Sequence, residues 1–89
     1  MTGDDKLILK TNTKSWVEVY DDNGHRLMFD IQTNANERKL RGQAPFRIFL
    51  GDATGMNIII NGYDIGEISH HKTTKTARFY VDSDGTVRK

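Results

Sequence analysis

The stretch Ser15-Trp16-Val17-Glu18-Val19-Tyr20-Asp21-Asp22-Asn23-Gly24-His25-Arg26-Leu27-Met28-Phe29 decides the fold. Its first six residues set β-branched and aromatic side chains in alternation, the mark of a strand whose side chains point to opposite faces. Asp21 to Gly24 is polar, and Asn23 and Gly24 tolerate the positive φ that tight hairpin turns require. The runs on either side of it are therefore expected to pair antiparallel. If Val17 and Val19 face a core, pleating sends Trp16, Glu18 and Tyr20 to the other side.

Similar short runs flank this hairpin. Leu7-Ile8-Leu9 precedes it. After the polar stretch Gln32-Thr33-Asn34-Ala35-Asn36, the run Glu37-Arg38-Lys39-Leu40-Arg41 reads as an edge strand with its charges in water. Gly42-Gln43-Ala44-Pro45 breaks the pattern, and Phe46-Arg47-Ile48-Phe49-Leu50 resumes it with Phe46, Ile48 and Leu50 on one face. Met56-Asn57-Ile58-Ile59-Ile60 is a further core strand, Asn61-Gly62 a type I′ turn signal, and Tyr63-Asp64-Ile65 the return strand. Ala77-Arg78-Phe79-Tyr80-Val81 is the last clear strand. Nowhere do apolar residues recur at helical spacing for three turns. About eight strands at this turn spacing predict an all-β fold, an antiparallel β-sandwich of immunoglobulin-like character, with a small closed β-barrel as the alternative. Core candidates are Val17, Val19, Leu27, Phe46, Ile48, Leu50, Ile58, Ile60, Phe79 and Val81. Residues 6–82 are read as one β domain, residues 1–5 as a disordered start and residues 83–89 as a disordered tail.

Composition narrows the function. With 89 residues, 36% of them hydrophobic, there is material for one core. Thirteen basic side chains nearly cancel twelve acidic ones, which argues against a nucleic-acid binder. The absence of cysteine excludes a disulfide framework, a thiolate nucleophile and a cysteine-ligated zinc. No apolar run approaches the roughly 20 residues of a membrane span, and the opening residues lack the apolar stretch of a secretion signal.

Candidate sites are few. His70-His71 invites a metal reading, but neighbours on an extended chain point apart, and His25 joins them only if the fold brings it near. Asp82-Ser83-Asp84-Gly85 echoes part of a calcium loop without its closing glutamate and reads as a frayed turn. Ser15, Ser69 and Ser83 lack any spacing that suggests activation, and Gly51-Asp52-Ala53-Thr54-Gly55 joins two strands instead of opening a helix, which disfavours a phosphate loop. No catalytic, metal or cofactor residue is assigned. Arg38, Lys39, Arg41 and Arg47 form a basic run that either meets an anionic surface or protects an edge; edge protection is the better reading. The aromatics say more: the pleat that turns Trp16 and Tyr20 outward also turns Phe49 away from Ile48 and Tyr80 away from Phe79. Trp16, Tyr20, Phe49 and Tyr80 are the candidate binding residues, unless Trp16 packs under a loop or the four lie on different sheets.

Ser15-Trp16-Val17-Glu18-Val19-Tyr20-Asp21, Asn23-Gly24, Arg26-Leu27, Gly42-Gln43-Ala44-Pro45-Phe46-Arg47-Ile48, Leu50-Gly51-Asp52-Ala53, Asn61-Gly62 and Thr76-Ala77-Arg78-Phe79, in this order and spacing, resemble the C-terminal domain of the RodZ bacterial cell-shape family. The likeness runs from Leu7 to about Val81. It departs at Met28-Phe29-Asp30, where the family often has an aromatic, a small residue and glycine, and at Tyr63-Asp64, where proline usually follows the turn. The resemblance implies a membrane-anchored parent with a cytoplasmic helix-turn-helix domain that contacts the MreB filament, one transmembrane helix, a linker and this extracytoplasmic β domain. On that basis the chain is expected to be an excised, non-catalytic interaction or scaffolding domain, periplasmic or facing the cell wall. Its expected partners are envelope or cell-wall-synthesis proteins outside the membrane, not nucleic acid. A peptidoglycan- or carbohydrate-binding module is the alternative, because exposed aromatics stack on sugar rings.

Overall fold

A computed structural model describes residues 4–33 and 37–89. Among these residues nine strands follow one another: β1 (Asp5–Thr11), β2 (Ser15–Tyr20), β3 (Arg26–Gln32), β4 (Glu37–Gly42), β5 (Phe46–Leu50), β6 (Met56–Ile60), β7 (Tyr63–Asp64), β8 (Ala77–Val81) and β9 (Val87–Arg88). Among the described residues there is no helix. The strands form two antiparallel sheets, ordered β4-β1-β6-β7 and β3-β2-β5-β8-β9, packed as a sandwich and not closed into a barrel. In immunoglobulin terms β1, β2, β3, β4, β5 and β8 stand in the places of strands B, C, C′, E, F and G. The β6–β7 hairpin supplies the strand beside B, a place that strand A fills in immunoglobulins.

Alternation builds the core. Leu7 and Leu9 from β1 and Ile58 and Ile60 from β6 meet Val17 and Val19 from β2, Phe46, Ile48 and Leu50 from β5, and Phe79 and Val81 from β8. All are fully or almost fully buried, each such side chain contributing about 1.5–3 kcal/mol of transfer free energy. Leu27 is the exception among the expected core residues. The β2–β3 register slips at a bulge between Val19 and Tyr20, from Val19 opposite Met28 to Tyr20 opposite Arg26. That slip gives the inward place to Met28 and leaves Leu27 half-buried at the rim.

The turns explain the register. Asn61 and Gly62 both have positive φ, 49° and 86°, and close the two-residue β6–β7 hairpin in the expected I′ manner. At the β2–β3 corner the pairing is as expected but the turn differs, since Gly24 alone takes positive φ (81°). The Gly24 amide donates to Asp21 O and the Asp21 amide to His25 O, a longer turn closed by one left-handed residue. Asp21 is buried there, its carboxylate accepting from the amides of Asn23 and His25 and, at 3.5 Å, from that of Gln43.

Both ends of the domain reach further than the sequence reading placed them. Asp5 opens β1 opposite Gly42, and its carboxylate accepts from the Ala44 amide and from Asn61 Nδ2, each at 2.9 Å. Residues 1–3 and 34–36 lie outside the described residues. The expected tail is structured: Asp82 to Thr86 repeats the β2–β3 corner, with the Gly85 amide donating to Asp82 O and the Asp82 amide to Thr86 O. Beyond it, β9 pairs with β8, and Arg88 grips the Asp82 carboxylate through two nitrogens at 2.8 and 3.0 Å. The ion pair and the hairpin hydrogen bonds hold a segment that has little apolar surface of its own.

Candidate functional site

The outer face of the five-stranded sheet is assembled by register. Trp16 lies opposite Ile31; Glu18 lies between Phe29 and Phe49, with Arg78 beyond; Tyr20 lies between Arg26 and Arg47, with Tyr80 and then Arg88 beyond. A row Arg26, Tyr20, Arg47, Tyr80, Arg88 thus crosses all five strands, arginine alternating with tyrosine. Trp16, Tyr20, Phe49 and Tyr80, singled out from the sequence, share this one face, so Trp16 does not sit on a separate sheet. The row depends on the bulge, which carries Arg26 rather than Leu27 to the side of Tyr20.

Sequence reasoning missed the neighbours. Phe29 and Ile31 are each 45% exposed and extend the apolar face to the sheet edge. Pleat parity alone turns Phe29 and Ile31 outward from Met28, Arg47 outward from Ile48 and Arg78 outward from Phe79, but which arginine meets which ring, and the place of Arg26 beside Tyr20, needed the cross-strand register.

The arginines lie on the rings. Their guanidinium carbons stand 4.5 Å (Arg26 on Phe29), 4.6 Å (Arg47 on Tyr20), 4.9 Å (Arg78 on Phe49) and 5.9 Å (Arg88 on Tyr80) from the ring centroids. All four fall within the roughly 6 Å reach of a cation–π contact, and all four are on one face. Trp16 packs edge-on against Phe29 with centroids 4.9 Å apart, and its indole nitrogen donates to Glu18 Oε2 at 2.8 Å. Glu18 is the single acidic side chain among these residues. Among the described residues Arg26, Arg47 and Arg78 have no carboxylate partner, whereas Arg88 is held by Asp82. A shallow depression of about 240 Å³ lies in the centre, lined by Glu18, Tyr20, Arg47, Phe49 and Arg78.

The other candidates separate. Lys39 and Arg41 sit on the outer face of the four-stranded sheet with Lys6, Ile8 and Lys10, and all of these but Lys10 line a hollow of about 430 Å³. Arg38 takes the inward parity on the same strand, opposite Leu9, and Arg47 lies on the opposite sheet, so the basic run of the sequence is not one patch. Its edge position is as expected, β4 ending its sheet. His71 Nδ1 accepts from the amides of Thr73 and Thr74, which ties it to its own turn, and His25 stands beside Asp21 at 3.4 Å. Among the described residues no group of three His, Asp or Glu is placed to hold a metal ion. Ser15 Oγ accepts from the Asp52 amide and donates to Trp16 O, a structural pairing at the start of β2. In the 51–55 turn Asp52 accepts from the Thr54 hydroxyl and amide, which hold its carboxyl below the usual range.

A family model described as RodZ C-terminal domain matches residues 9–80, from within β1 to the penultimate residue of β8. The chain belongs to the RodZ C-terminal domain family. That is a family of cell-shape proteins, and the RodZ match covers every strand that builds the aromatic face except β9. No solved structure matches the chain significantly.

Proposed function

We propose that this RodZ-family domain is a non-catalytic interaction and scaffolding module, carried outside the membrane by an anchored cell-shape protein, with the outer face of its five-stranded sheet as the contact surface. The observation that carries the reading is that Trp16, Tyr20, Phe49 and Tyr80, joined by Phe29 and Ile31, share one sheet face on which Phe29, Ile31 and Tyr80 are exposed and the others half-buried. Aromatic and arginine side chains in such a cluster are the groups that dominate protein–protein contact energies. Envelope or cell-wall-synthesis proteins are the partners the family suggests. A sugar ligand fits less well, because one face of each stacked ring is already taken by a guanidinium.

The test is Trp16→Ala combined with Tyr20→Ala in the membrane-anchored parent. The reading expects a folded domain, checked by amide shift dispersion, and loss of cell-shape support together with loss of partner cross-links. Normal shape with every partner contact intact would remove the face from consideration. Sedimentation with purified sacculi separates the alternative, since co-pelleting abolished by the same substitutions would make the ligand peptidoglycan.

A further inference from the structure

Resting on that contact-face reading, we propose that the partner presents an acidic, extended peptide segment, and that Arg47 and Arg78 are the groups that receive its carboxylates. Charge is the first argument. The chain as a whole is nearly neutral, at +1, yet this face sets four arginines against Glu18 alone, and Glu18 is tied to the Trp16 indole. Only Arg88 is neutralised, by Asp82 at the sheet margin. Arg26, Arg47 and Arg78 make no ion pair within 4.0 Å among the described residues, and Glu18 is the one carboxylate that lines the depression with Arg47 and Arg78.

Geometry is the second argument. A guanidinium held over a ring by cation–π attraction keeps N–H donors with which to meet a carboxylate. The guanidinium carbons of Arg47 and Arg78 stand 4.6 and 4.9 Å from the Tyr20 and Phe49 centroids, contacts that favour these positions before any partner arrives and so lower the entropy lost on binding. Arg47 pairs with Tyr80, and Arg78 with Phe49, two residues along each strand, so the two arginines are diagonal neighbours across the central depression. Such neighbours stand about 7–8 Å apart. Alternate side chains of an extended peptide are about 6.6–6.8 Å apart, so Glu-x-Glu or Asp-x-Asp reaches both. The apolar residue of the following pair would lie on Phe29, Ile31 or the Trp16 edge.

Size is the third argument. The depression, about 240 Å³, is smaller than the clefts of about 300–1,000 Å³ that enclose small ligands, which suits a strand lying across it better than an enclosed ligand.

The experiment is an amide-shift and Trp16-fluorescence titration of the chain with three probes. These are a synthetic peptide of about eight residues carrying Glu, Glu and Leu at successive alternate positions with serine between them, long enough to cross the face, the same peptide with Gln for Glu, and a soluble cell-wall stem peptide. The proposal expects the acidic peptide to shift amides of β2, β5 and β8, to bind about tenfold more tightly than its Gln counterpart, and to weaken as salt is raised. Arg47→Gln and Arg78→Gln should each weaken binding by roughly threefold or more, and Lys39→Gln should leave it unchanged. Equal binding of both synthetic peptides at this face would overturn the acidic chemistry while leaving the contact surface standing. Shifts confined to the four-stranded sheet would overturn both. Tighter binding of the stem peptide at the same arginines would overturn the choice of a partner protein, and no shift with the acidic peptide would overturn the proposal outright.

Discussion

The two outer faces of the sandwich carry cations in opposite ways. On the four-stranded sheet, Lys10 and Lys39 reach toward one Glu37 at 3.7 and 3.6 Å, with Lys6 and Arg41 beside Ile8, and among the described residues no ring lies beneath any of them. On the five-stranded sheet the cations are all arginine and each lies on an aromatic ring. A lysine ammonium is compact and strongly hydrated, suited to keeping an edge soluble, while a guanidinium over a ring is weakly hydrated, favoured in its place and still able to bind a carboxylate. The same sequence tendency, basic residues interleaved with strand formers, therefore makes a solvated face on one sheet and a prepared one on the other. What separates them is the row of rings beneath the arginines.

The strongest way to break this comparison is to ask whether the faces are surfaces at all. Phe46→Ala, in the core shared by both sheets, should cost about 3–5 kcal/mol in chemical denaturation, whereas Phe49→Ala, three residues along on the outer face, should cost about 1 kcal/mol. Similar losses would mean that the outward aromatics act as core. Next in size is the corner that sets the register of the aromatic row. Burial pushes the Asp21 carboxyl up, but the amides of His25 and Gln43 and the nearby His25 ring outweigh it and hold the group below its ordinary value. A carboxyl lowered on folding stabilises the native state above its unfolded pKa, near 4, and loses that contribution as pH falls through the folded value. Asp21→Asn should destabilise the domain by about 1–3 kcal/mol at neutral pH, and the gap to the parent sequence should narrow as pH drops below about 4. Urea titrations at several pH values read both.

Smaller effects sharpen the difference between the two kinds of cation. Arg78→Lys keeps the charge and gives up the guanidinium's contact over Phe49, so a double-mutant cycle with Phe49→Leu should return a coupling of about 0.5–1 kcal/mol. The Lys10–Glu37 pair, with side chains 51% and 39% exposed, should return about 0–0.5 kcal/mol in the same kind of cycle and vanish in high salt. Equal couplings would erase the distinction.

Most of the fold is readable in the chain because its register is set locally. Val17 and Val19, Ile58 and Ile60, and Phe79 and Val81 declare their inward faces by alternation, and Asn61-Gly62 dictates its own hairpin. Leu27 was misplaced because a bulge is decided by how two strands fit, which no single strand announces. The C-terminal hairpin was misread for another reason. Asp82-Ser83-Asp84-Gly85 follows the pattern of Asp21-Asp22-Asn23-Gly24, but the two-residue strand after it is too short to show alternation, and its Arg88–Asp82 pair appears only in three dimensions. The four aromatic candidates were legible from pleat parity alone. Which arginine lies on which ring was not, because each pair but one joins residues on different strands, and cross-strand neighbours follow from register, not from spacing.

The most direct test places a photo-activated cross-linking residue at Tyr80 on the five-stranded face and, separately, at Ile59 on the four-stranded face, each in the protein as expressed in cells. The account predicts a discrete protein adduct from position 80, reduced when Arg47 and Arg78 are changed to glutamine, and none from position 59. An adduct from position 59 alone, or equal adducts from both faces that ignore the arginine substitutions, would contradict it.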